Sequence, residues 1–71
     1  MTCEEAMELA NSIMIDLNVI EENNPDAKEY LDGVKDVISQ ILKSLDKNNY
    51  ATERQIITLL NIQQGIGKWL H

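Results

Sequence analysis

The chain has 71 residues, with 12 acids against 6 bases, a formal net charge of -6, 44% hydrophobic residues and one cysteine. That length holds one domain and one small core, which by itself supplies only about 3–5 kcal/mol. A lone Cys3 and a lone His71 exclude a disulfide framework and a zinc site, and the acidity opposes binding to a phosphate backbone, so oligomerisation or a protein partner is left as the added support.

The first helix is expected over residues 3–22. Thr2 and Glu5 form a capping box, in which a hydroxyl and a carboxylate each satisfy a backbone N–H that the helix leaves free. Ala6, Leu9, Ala10, Ile13, Leu17 and Ile20 then recur at three- and four-residue steps, with Cys3, Met7 and Met14 on the flank as core filler. All of the unbalanced charge lies here: residues 1–24 carry Glu4, Glu5, Glu8, Asp16, Glu21 and Glu22 and no Lys or Arg.

Asn24-Pro25-Asp26 marks the start of a second helix over 25–47, with Asn24 as N-cap, Pro25 at the first helical position and Asp26 complementing the positive helix end. Its inner positions are Ala27, Leu31, Val34, Ile38, Ile41 and Leu45, and Tyr30, Val37 and Leu42 widen that seam. Gly33 costs about 1 kcal/mol relative to Ala inside a helix, and is either a close-approach point or a tolerated surface glycine. Asp46-Lys47-Asn48-Asn49 reads as the next turn.

Thr52 and Gln55 repeat the capping-box pattern and open a third helix over 53–70. Leu59, Ile62, Ile66 and Leu70 form its stripe, Ile56, Ile57 and Leu60 broaden it, and Gly65 and Gly67 predict fraying or a break near Gln64. Connections of three to six residues join neighbours that run in opposite directions. The fold class expected is therefore all-α: a small antiparallel, up-down-up three-helix bundle forming a single domain over 1–71, with a dimer as one way to complete its core.

No catalytic constellation is present in the sequence. Nucleophilic catalysis needs a base beside a Ser, Cys or Thr, and the one histidine is the last residue. Cys3 has Glu4 and Glu5 beside it, which oppose a thiolate. Neither a cofactor nor a metal is expected. The acidic opening Met-Thr-Cys-Glu-Glu and the lack of an apolar run of ~20 residues predict a soluble cytoplasmic protein without membrane contact.

The functional expectation is a non-enzymatic protein-binding module, an adaptor or stoichiometric inhibitor with a basic partner. On a 100° helical step Ile15 and Val19 fall opposite the core stripe, surrounded by Glu8, Ser12 and Glu22, like the centre and rim of a small interface. Glu21, Glu22, Asp26 and Glu29 make an acidic corner, which is a docking site unless Lys28, Lys68 and His71 offset it; Lys43 and Lys47 partly neutralise Glu4, Glu5 and Glu8 at the other end. In its sharper form the module covers the nucleic-acid-binding surface of a basic protein, as small acidic anti-restriction, anti-CRISPR or antirepressor proteins of phages do. The alternative is a homo-oligomeric assembly protein built on helix three through Ile57, Ile62, Gln63 and Trp69, in which Gln63 pairs with its symmetry mate. A helix-turn-helix reading of helix three has only Arg54 and Lys68 to meet phosphates and falls short.

Overall fold

The computed structural model describes residues 1–70 and is an all-α three-helix bundle. Helix α1 spans Cys3–Asn23, α2 spans Lys28–Asn48 and α3 spans Glu53–Gly67, with short 3-10 turns at Pro25–Ala27 and Lys68–Leu70. His71, which entered the expected offset of the acidic corner, lies outside the described residues.

Both capping boxes form. The Glu5 backbone N–H donates to Thr2 Oγ1 at 3.1 Å while the Thr2 N–H donates to Glu5 Oε1 at 2.8 Å. The Gln55 N–H donates to Thr52 Oγ1 at 3.1 Å and the Thr52 N–H to Gln55 Oε1 at 3.0 Å. These motifs are legible in sequence because every partner lies within three residues.

The α1–α2 connection differs from the expected N-cap. Asn24 makes no cap to the second helix; its side-chain amide donates to Ile20 O at 2.9 Å and closes α1 instead. Pro25 then opens a 3-10 turn, and α2 begins three residues later than expected, at Lys28. Proline suits either helix type at a first position, so the sequence motif does not choose between them. At its far end α2 runs through Asn48, and Asn49 takes the left-handed conformation, φ 60°, with its N–H on Leu45 O.

Buried side chains come from all three helices: Ala6, Ala10, Ile13, Leu17 and Ile20 of α1, Leu31, Ile38, Ile41 and Leu45 of α2, and Leu59 and Ile66 of α3. All are aliphatic, and among the described residues no polar side chain is buried. Leu9, Ala27, Val34, Leu42 and Ile62 are half-buried against this cluster, as are Cys3, Met7 and Met14. Tyr30 and Val37, expected to widen the inner seam of α2, are exposed instead. Gly33 is a surface glycine: a Cβ there would meet no atom within 4 Å.

Helix α3 continues past Gln64 to Gly67 and then tightens into Lys68–Leu70. A 3-10 turn advances 120° per residue where an α-helix advances 100°, which shifts the phase of the stripe. Trp69 packs half-buried on the core and Leu70, expected in the stripe, is exposed.

The helix ends show how the bundle is laid out. Cys3 Sγ donates to Leu45 O at 3.5 Å, so the start of α1 lies at the end of α2. Glu21, near the end of α1, pairs with Lys28 and Lys35 in the first half of α2. Gln55 Nε2 donates to Ser44 Oγ at 3.0 Å, tying the start of α3 to the last turns of α2. Helix α1 packs closely on both α2 and α3, whereas the backbones of α2 and α3 hardly approach each other. The bundle therefore has one open side.

Candidate functional site

The outward face of α1 is set by the helical period. Its buried residues occupy one arc, and a 100° step places Glu4, Glu8, Ser12, Ile15, Val19 and Glu22 on the arc opposite. All six are exposed, Ile15 at 64% and Val19 at 45%. At 1.5 Å per residue Ile15 and Val19 stand about 6 Å apart along the axis, and Glu8 and Glu22 about 21 Å apart. The face thus has an apolar centre with carboxylates toward both ends and no base on the same helix.

Charge pairing splits the expected acidic corner in two. Glu21 is half-buried and held by Lys35 at 2.5 Å and Lys28 at 3.9 Å, and Lys28 also meets Asp32 at 2.9 Å. Lys28 acts as expected, Lys35 contributes although the sequence did not single it out, and among the described residues Lys68 makes no ion pair. Glu22, Asp26 and Glu29 are exposed and form no ion pair among the described residues. A hollow of about 450 Å³ at this corner is lined by Asn18, Pro25, both lysines and the two glutamates, so its charge is mixed. Nor do Lys43 and Lys47 form ion pairs with Glu4, Glu5 or Glu8 among the described residues. The carboxylates of the outward face are left to solvent.

Local bonding sets the titration of three exposed groups. The hydrogen bond from the Thr2 backbone, followed by that with its side chain, holds the Glu5 carboxyl below its ordinary range. The Lys28–Asp32 hydrogen bond raises the ammonium and lowers the carboxyl. Among the described residues no group of three His, Cys, Asp or Glu side chains is placed to hold a metal ion, and no helix is long and apolar enough to cross a membrane.

The residues expected to mediate self-association do not share a face. Ile57 and Ile62 lie about 140° apart on α3. Ile57 is exposed, while Ile62 and Trp69 are half-buried against the bundle's own core. Gln63 is exposed, so water satisfies its amide without a symmetry mate.

A second surface lies on the open side between α2 and α3. One hollow of about 540 Å³ is bounded by Val37, Ile41, Arg54 and Thr58, and another of about 220 Å³ by Tyr30, Val34, Ile62 and Gly65. The sequence signal for it was slight: Tyr30 and Val37 are seven residues apart at the edge of the α2 stripe, where seam and rim look alike. Comparison with models of protein families, with curated proteins and with solved structures finds no significant match to this chain.

Proposed function

We propose that the protein is a non-catalytic protein-binding module that docks the outward face of α1 onto a basic surface of another protein, as an adaptor or stoichiometric inhibitor. The observation that carries this reading is Ile15, 64% exposed at the middle of a helix whose outward carboxylates have no cationic partner among the described residues. Exposed aliphatics next to charge supply the desolvated centre of an interface, and the carboxylates supply orientation and a fast encounter with a cationic partner. In the sharper form of this reading the carboxylates take the place of phosphates on a nucleic-acid-binding surface.

The test is affinity capture from host lysate at low and high salt with the wild type and an Ile15→Lys, Val19→Lys variant, followed by titration of the purified partner. The expected result is a partner bound by the wild type, weakened by salt and lost in the variant. Equal binding by both proteins, or affinity indifferent to salt, rejects the reading.

A further inference from the structure

We propose that the partner seated on the outward face of α1 is a single basic α-helix, lying lengthwise, with Lys or Arg residues about two heptads apart and an uncharged stretch between them. This rests on the α1 reading above and adds the form of the partner. Glu4, Glu8, Asn11, Ile15, Asn18 and Glu22 follow one another at steps of 4, 3, 4, 3 and 4 residues, and all six are exposed. That is the spacing at which one helix meets another lying along it at a small crossing angle. Charge stands on this seam in two separate places. Between Glu8 and Glu22, about 21 Å along the axis, the seam holds only Asn11, Ile15 and Asn18, with Ser12 and Val19 beside them. The other two acids of that interval, Asp16 and Glu21, are half-buried on opposite flanks of the helix. Glu4, Glu8 and Glu22 form no ion pair among the described residues, and Lys28, which shares the corner hollow with Glu22, is engaged by Glu21 and Asp32.

The gap between the charges selects the occupant. A nucleic-acid-binding surface is matched to a strand that carries a charge about every 3.4 Å, whereas the middle of this face presents no exposed carboxylate between Glu8 and Glu22. A second copy of this chain repeats the same acids: parallel seams set each glutamate against itself, and antiparallel seams centred on Ile15 bring Glu8 beside Glu22, so like charges meet at both ends. A helix with cations toward both ends of one face answers the carboxylates at both ends of this one, and apolar side chains between them cover Ile15 and Val19. Asn11 and Asn18 stand seven residues apart, at one heptad position of the seam. A side-chain amide covered there fixes the register of a helix pair at some cost in stability.

Fluorescence anisotropy with two synthetic helical peptides of equal composition tests this. In the first, pairs of Lys stand about two heptads apart around a middle of Ala and Leu; in the second, the same Lys residues are spread evenly along the same face. The first is expected to bind the wild type at least about tenfold more tightly than the second, to be weakened by salt, and to be lost with Ile15→Lys, Val19→Lys. An Asn11→Glu, Asn18→Glu variant fills the neutral gap with carboxylates and is expected to reverse the preference, weakening the first peptide and strengthening the second. Both of its sites are exposed, so circular dichroism should show the helices intact. Equal binding of the two peptides, tighter binding of the evenly spaced one, or no binding of either at about 1 mM overturns the proposal. So does a preference that Asn11→Glu, Asn18→Glu leaves unchanged, or a first peptide held equally well by Ile15→Lys, Val19→Lys. The lysate capture reports separately on the α1 reading: a partner lost in the Ile15→Lys, Val19→Lys variant, together with any of these outcomes, leaves that face in use with an occupant of another form.

Discussion

The α1–α2 seam and the α2–α3 seam are built from the same α2 helix, yet one is closed and the other open. Against α1, α2 is tied at both ends, by Cys3 to Leu45 and by Glu21 to Lys28 and Lys35, with Leu31, Ile38 and Leu45 buried between. Against α3 it is tied at one end through Ser44 and Gln55, and two hollows lie along the outer side of that seam. The difference follows from what each helix brings. Helix α1 buries five side chains and α3 buries two, while Thr58, Asn61 and Gly65 occupy the side of α3 that faces the hollows. Polar and absent side chains cannot fill the space that a Leu or Ile would close. The folded chain therefore rests on α1, and the side away from it is left open.

Substitutions of matched kind on the two seams sharpen this contrast most. Leu45→Ala removes a fully buried side chain beside Cys3 and is expected to cost about 2–5 kcal/mol in urea unfolding. Val37→Ala, on the open wall, is expected to change monomer stability by less than about 0.5 kcal/mol at low protein concentration. Equal costs at the two sites would mean that the α2–α3 side closes in solution.

A smaller effect is expected from the ion pair that ties α1 to α2. A double-mutant cycle on Glu21→Gln and Lys35→Met should give a coupling of about 0.5–1 kcal/mol that declines with salt, as befits side chains that keep some access to water. Absence of coupling would leave the apolar contacts alone to hold that seam.

The smallest effect is local. Because the Thr2 cap lowers the Glu5 carboxyl pKa, its stabilising contribution is fully present above the ordinary carboxylate range and is lost as pH falls through the lowered value. NMR titration should find the Glu5 carboxyl below its ordinary range, and in a Thr2→Ala variant, which loses the hydroxyl but keeps the backbone donor, it should rise only part of the way back. A wild-type Glu5 titrating in the ordinary range would mean that the capping box at the start of α1 is open in solution.

The outward face of α1 was legible in the sequence because a 21-residue amphipathic helix has a buried arc and therefore an opposite one. Ile15 and Val19 follow from period alone, as do the exposed Glu8, Ser12 and Glu22. In the sequence Glu21 stands among acidic neighbours, but it sits on the flank of α1 that meets α2, where Lys35 reaches it from fourteen residues away. That pairing depends on the register of two helices, which no local spacing encodes. Tyr30 and Val37 look like seam residues in the sequence for a related reason: their positions on α2 are apolar, and only the separation of α3 from α2 turns that flank into an open wall.

What the sequence determined by itself is what lies within a few residues along the chain: three helices, two capping boxes, the aliphatic stripes and the concentration of unbalanced charge in the first helix. The tertiary structure alone decided which cations meet Glu21, that Trp69 lies on the core and Leu70 outside it, and which side of the bundle stays open. Periodicity and capping are short-range properties of one helix, whereas register, phase and gaps between helices depend on how three surfaces of unequal width fit together.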